Sequence, residues 1–231
     1  MSEHCASQID KLIEADRVHR DVYTAPGIFD LEMARIFGRS WIWIGHASQV
    51  ASIGDFVTTR IGRQPVIMVR HGDGQIKVLI NRCRHRGVRL CALDRGNTKQ
   101  FRCPYHGWTF DERGTCLAMP GEPPDSNFKD KVQHTAYPVR EQGGLIWTFM
   151  GVGDPPGLPQ MDIIAAEDGI RIVENFCLWP ANWLQIVENS VDQVHTGILH
   201  GEGSSRSDVW GQVPEVDWHE DEYGIQTVQV R

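Results

Sequence analysis

Apolar and polar positions change period twice along the 231 residues. Residues 1–37 read as helical and polar, with weak helical periodicity over Ile9–Arg17. A clearer helix is predicted from Asp30, as its N-cap, through Leu31, Ala34, Ile36 and Phe37, with Gly38 as its stop. From Trp41 to Gly151 the period falls to two. Strands are predicted at Phe56–Ile61, Val66–Arg70 and Ile76–Ile80, with His71-Gly-Asp-Gly as the turn between the last two. Asp111-Glu-Arg-Gly is a second turn after Trp108–Phe110, and Leu145–Met150 reads as a buried strand. This stretch predicts a small all-β domain.

Gly151–Pro159 is rich in residues that punctuate structure and marks a domain boundary. Beyond it, Ile170–Phe176 reads as a strand. Asn182 then caps a helix, with Gln185 three residues on in a capping-box arrangement. Tyr223–Arg231 predicts a strand with no partner after it, which would leave backbone groups unpaired. The expected division is therefore a helical segment at 1–38, a β domain at 39–152 and the start of a third region at 153–231.

Composition narrows the class. With 41% hydrophobic and 23% charged residues, disorder and low complexity are poor readings. The longest apolar run, Leu145–Val152, is too short to span a bilayer, and the N-terminus lacks the pattern of a secretory signal. A cytoplasmic protein without membrane contact is expected. The net charge of −7 supplies no electrostatic footprint for nucleic acid. Six cysteines are too few for a disulfide scaffold, but Cys83, Cys91, Cys103 and Cys116 share one third of the chain with His85 and His106. Such clustering more often binds metal.

The decisive pattern is Cys83-Arg-His85-Arg-Gly followed by Cys103-Pro-Tyr-His106-Gly-Trp, with seventeen residues between His85 and Cys103. Isolated buried Cys and His usually only pack or hydrogen-bond. Two pairs on Gly- or Pro-flanked loops can instead converge four donors on one point. Spacing leaves the metal open between tetrahedral Zn²⁺ and a [2Fe–2S] centre with two thiolates on one iron and two imidazoles on the other.

These loops resemble those of Rieske domains, specifically of ring-hydroxylating oxygenase large (alpha) subunits. Respiratory and photosynthetic Rieske proteins carry a further Cys in each loop, forming a disulfide; Val88 and Tyr105 stand near those points here. The resemblance implies that Cys83, His85, Cys103 and His106 bind the cluster, and leaves Cys91 and Cys116 as packing thiols.

A second pattern follows. In the segment from Asn182 to His200, Gln185, Asn189, Asp192 and His195 share one helical face, while Trp183, Leu184, Ile186, Val187, Val191 and Val194 cover much of the rest, predicting a helix buried on several sides. The polar stripe reads equally as a solvated face. His200 lies about 140° from His195 on a regular helix, and a π-type turn at Gly197 would let both imidazoles reach one ion. Two His with a carboxylate make the facial triad of non-haem Fe(II) oxygenases.

Glu188-Asn189-x₂-Asp192-x₂-His195-x₄-His200 resembles the mononuclear-iron segment of the same family. The resemblance implies that His195 and His200 bind Fe(II). Asp192 would bridge His195 to the cluster ligand His106 of a neighbouring subunit, and Asn189 would be a polar residue near the site. The family's third ligand, a carboxylate, lies well beyond His200; Glu202, Asp208, Glu215, Asp217, Glu220, Asp221 and Glu222 follow it here, none in that position. The chain is expected to be the N-terminal portion of a longer alpha subunit, or a truncated gene product.

The implied fold is α+β: a small all-β Rieske domain, then the start of a catalytic domain of antiparallel sheet with helices, with the N-terminal helices packing on the latter. The implied function is a terminal oxygenase. Electrons from NAD(P)H would arrive through a separate reductase or ferredoxin, and O₂ would be activated to hydroxylate an aromatic or related ring, in a homotrimer or α3β3 assembly. Two alternatives stay open: a Rieske electron-transfer protein without oxygenase activity, and a zinc-stabilised interaction module.

Overall fold

The structure, a computed structural model, describes residues 9–166, 168–170, 172–173, 179–200, 211–222 and 224–230. The chain divides into two compact units. One is built on Phe29–Phe176, and the other joins Ser7–Ile28 to Cys177–Arg231. The class is mixed helix and sheet, with every paired strand antiparallel.

The first unit is mostly β. Strands β4 (Asp55–Ile61), β5 (Gln64–Arg70), β6 (Ile76–Ile80), β7 (Arg95–Asn97) and β11 (Ala136–Tyr137) form a sheet in the order β11-β6-β5-β4-β7. A second sheet runs β12 (Val139–Gln142), β13 (Leu145–Phe149), β3 (Trp41–His46), and a third runs β10 (Cys116–Ala118), β9 (Thr109–Asp111), β8 (Gln100–Arg102).

Strand β5 explains how the core is arranged. Val66, Ile67, Met68 and Val69 are all buried, so this strand is covered on both faces. Alternation then sends Ile67 and Val69 into one apolar cluster with Leu79, Phe101, Phe110, Cys83 and Cys103. Val66 and Met68 enter another, with Ile76, Val78 and Ile146. Each such side chain contributes roughly 1.5–3 kcal/mol by leaving water. One face of the central sheet thus carries the Cys-His loops, and the other packs on the sheet that holds Ile146.

The expected strands and turns of this unit are present. His71 N–H donates to Gln75 O at 2.8 Å across the first turn, and Gly114 N–H to Asp111 O at 3.1 Å across the second. The N-terminal reading needs correction. Residues 13–18 are not helical: β1 (Ile13–Glu14) and β2 (Arg17–Val18) form a short hairpin. Asp30 is not an N-cap either. Ahead of it lie a single helical turn, α1 (Asp21–Thr24), and helix α2 (Pro26–Glu32). Proline suits the first turn of α2, where its missing N–H is not needed, and Ala25 before it is extended. The helix continues as a π turn over Met33–Phe37 and stops at Gly38. Asp30, within α2, pairs with Arg63 at 2.7 Å.

In the second unit α1 packs beside helix α4 (Trp183–Val191). Tyr23 donates its hydroxyl to Glu188 at 2.7 Å, and Asn182 Nδ2 donates to Tyr23 O at 3.0 Å. A single helical turn, α3 (Asp162–Ala165), precedes α4 in the chain and belongs to the first unit. Asn182 caps α4 through the Leu184 N–H at 2.9 Å, but the reciprocal Gln185 bond of a capping box is not formed. Of the strand expected at Ile170–Phe176, Ile170, Ile172 and Val173 are not in a strand, and the others lie outside the described residues. The terminal strand is not alone: β15 (Gly224–Val230) pairs along its length with β14 (Glu215–Asp221). Among the described residues no helix is long and apolar enough to cross a membrane.

Candidate metal centres

The two Cys-His loops share one backbone design. Cys83 N–H donates to Val88 O at 2.7 Å and Gly87 N–H to Cys83 O at 2.8 Å. In the second loop Cys103 N–H donates to Trp108 O at 2.8 Å and Gly107 N–H to Cys103 O at 3.0 Å. Each closes on a glycine in the left-handed region, Gly87 at φ 74° and Gly107 at φ 72°, where a side chain is strained. The first loop follows β6 and the second joins β8 to β9 as a hairpin. Asn81 locks the first, accepting the Cys91 N–H and donating to Cys91 O, both at 2.7 Å.

This design separates the donors by burial. Cys83 and Cys103 are each only 3% exposed, inside the apolar cluster, while His85 and His106 are exposed above them. Their imidazole centroids stand 4.7 Å apart. Burial pushes the Cys83 thiol up. The backbone N–H groups of His85 and Arg86 oppose this by donating to its sulfur, whereas the neighbouring Cys103 side chain adds to it. Two adjacent thiols and two adjacent imidazoles are the donor set of a mixed-ligand [2Fe–2S] centre, with two protein donors per iron. The residues fit that group.

Aromatic neighbours frame the imidazoles. Trp108 stacks on His85, with centroids at 4.6 Å and planes 9° apart, and Tyr105 leans on His106 at 3.9 Å. Trp108 has a signal in the sequence, two residues after His106, that the ligand spacing alone does not reveal. Cys91 and Cys116 are free thiols within or against the same cluster.

The second pattern falls on two helices rather than one. Helix α4 ends where Asp192 turns extended, φ −85° and ψ 104°. Asp192 Oδ1 then accepts the Val194 N–H at 2.9 Å as the next helix, α5 (His195–Leu199), opens. The break is at Asp192, not a π turn at Gly197. Gly197 is buried for another reason: a Cβ there would come within 2.7 Å of Gln212 O. His195 and His200, at the two ends of α5, have ring centroids 5.4 Å apart. Asp192 Oδ2 lies 3.3 Å from His195 Nδ1, a buried nitrogen outside hydrogen-bond geometry.

Asn189 and Gln185 are exposed on α4, and among the described residues neither is tied to the histidines. Helix α4 is not buried on several sides; Val187 is 50% exposed and none of its residues is buried. Trp218 Nε1 on β14 donates to Val191 O at 3.0 Å, satisfying a carbonyl at the α4 terminus. Glu202 and Asp208 lie outside the described residues. Among the described residues no three His, Cys, Asp or Glu side chains gather as ligands of one ion, so Glu215, Asp217, Glu220, Asp221 and Glu222 complete no set with His195 and His200. Tyr23, which holds Glu188 from 165 residues away, left no sequence signal.

Residues 40–140 match the Rieske [2Fe-2S] domain. The chain is 33% identical to the benzene 1,2-dioxygenase alpha subunit of Pseudomonas putida over 209 residues, 83% of this chain and 46% of that subunit. It is 48% identical to the biphenyl dioxygenase alpha subunit of Paraburkholderia xenovorans over 101 residues, 44% of this chain and 22% of that one. It thus spans at most about half the length of these curated relatives. Among solved structures, naphthalene 1,2-dioxygenase from Rhodococcus sp. bound to indole matches 64% of this chain and 35% of its own, with a TM-score of 0.55 and 28% identity. A quaternary ammonium Rieske monooxygenase in complex with L-carnitine shares the fold over 91% of this chain and 61% of its own, with a TM-score of 0.72 and 24% identity. The chain thus carries a Rieske [2Fe-2S] domain and, over 83% of its length, is homologous to the alpha subunits of Rieske-type ring-hydroxylating dioxygenases.

Proposed function

We propose that this chain is part of a terminal oxygenase that receives electrons at a Rieske cluster and delivers them to a mononuclear non-haem iron. Cys83, Cys103, His85 and His106, in the domain 39–152, would hold the cluster. His195 and His200, in the region 153–231, would hold Fe(II), with Asp192 orienting His195. The observation that carries the reading is the burial of two adjacent thiols beneath two adjacent exposed imidazoles. Electrons would enter from NAD(P)H through a reductase or ferredoxin, in a cytoplasmic homotrimer or α3β3 assembly.

The two metal groups supply one-electron transfer and O₂ activation when bound. The chain's own residues supply placement. The apolar cluster keeps water from the thiols, and Asp192 faces Nδ1 of His195, leaving Nε2 to a metal. The substrate would be an aromatic or related ring.

The test is a preparation of the chain with iron and sulfide. A red-brown protein with two irons for the cluster, and a low-average-g EPR signal on reduction, is expected; a colourless zinc protein would overturn the reading. Iron bound beyond those two, lost on replacing His195 and His200, separates the oxygenase from an electron carrier.

A further inference from the structure

We propose that Trp108 is a positioning residue for His85, fixing the plane of its imidazole from the opposite loop. The inference rests on reading His85 as a cluster ligand. Imidazoles that bind metal are usually oriented by a hydrogen bond to the other ring nitrogen. Among the described residues no hydrogen bond reaches the His85 ring, and its exposed position leaves two side-chain torsions to be set. The indole sets them by contact, lying on the imidazole at 4.6 Å with planes 9° apart.

Trp108 is itself well held. Its carbonyl accepts the Cys103 N–H at 2.8 Å, so its backbone is part of the second loop. Its ring meets Phe110 edge-on at 6.4 Å and Phe128 at 6.2 Å. One residue therefore belongs to the Cys103–His106 loop through its backbone and braces the Cys83–His85 loop through its side chain. Ligand orientation governs iron–imidazole overlap, so the cluster's electronic signature is where this contact registers.

The test compares the loaded full chain with three variants: Trp108→Phe, which keeps a stacking ring, Trp108→Leu, which removes it, and Phe128→Leu, which loosens the packing of Trp108 without touching His85. The readouts are iron per chain, the EPR g-values of the reduced cluster and its midpoint potential. Wild-type g-values and potential are expected for Trp108→Phe, displaced, broadened features and a shifted potential for Trp108→Leu, and a smaller change in the same sense for Phe128→Leu. Failure of Trp108→Leu alone to retain the cluster supports the same assignment. Unchanged signals in a loaded Trp108→Leu, or the same change in Trp108→Phe, would overturn it. A wild-type chain that takes up no cluster would instead sink the ligand reading beneath it.

Discussion

Cys83 and Cys116 are the same side chain in the same apolar cluster, each 3% exposed, and burial raises both thiols. What differs is the company. Cys83 has the Cys103 thiol beside it, whereas Cys116 has no second thiol among its neighbours, meeting the Ala118 backbone, with its carbonyl at 3.8 Å, and the charges of Lys129 and Asp130. Cys83→Ala should abolish visible absorption and cluster iron. Cys116→Ala should keep both and cost about 1–2 kcal/mol in denaturant unfolding, the loss of a small buried group. His134 gives a pH dependence of defined sign. It is buried against Phe110 at 4.5 Å, its Nε2 bonds Ile80 O at 2.7 Å, and burial lowers its pKa below the ordinary value near 6.5. The unfolded chain then binds a proton that the folded chain refuses. Its stabilising contribution is full above about pH 6.5 and is lost as pH falls toward the depressed folded value. Urea unfolding at pH 7.5 and 5.5 should show a smaller pH difference for His134→Gln, which retains a donor for Ile80 O, than for wild type.

At the scale of elements, the break at Asp192 places the two histidines. Asp192→Ala removes the carboxylate whose Oδ1 accepts the Val194 N–H and whose Oδ2 lies beside His195. It should cost about 1 kcal/mol, as a lost hydrogen bond does, and should leave cluster absorbance intact while coupled substrate oxidation falls in the full oxygenase. Normal turnover would refute the orienting role. Gly197→Ala drives a Cβ toward Gln212 O and should cost roughly 1–3 kcal/mol in thermal or denaturant unfolding, as overpacking does. How far the sequence predicts such elements depends on how many positions carry the signal. Strand β5 was legible because four consecutive apolar residues, Val66 to Val69, alternate between two apolar clusters. The β1–β2 hairpin was not, since two residues per strand establish no period. The break at Asp192 carries no Gly or Pro, so the helical stripe read straight through it. Glycine 197 looked like a loosening point, but only the approach of the Gln212 backbone explains it. The ligand loops were legible because their spacing is local; the Trp108 stack and the Tyr23–Glu188 bond are tertiary and have no period to read.

For the molecule as a whole, the two apolar clusters of the β unit predict how cluster loss spreads. Cys83 and Cys103 belong to one cluster only; Val66, Met68, Val78 and Ile146 form the other. Removing iron with chelator and reductant should therefore deprotect the amides of Cys83, Gly87, Cys103 and Gly107 in hydrogen exchange, while Val66, Met68 and Val78 stay protected. Uniform deprotection would show that the metal holds the whole unit together.

The shared design of the two ligand loops carries one further consequence. Their backbone hydrogen bonds correspond pair for pair, yet histidine sits two residues after cysteine in the first and three in the second. That single-residue offset breaks what would otherwise be a near-twofold centre. One imidazole lies beneath a packed indole; the other stands beside a phenol that is 56% exposed. A cluster held there would have unlike sides, an indole lying on the imidazole at His85 and an exposed phenol beside the one at His106.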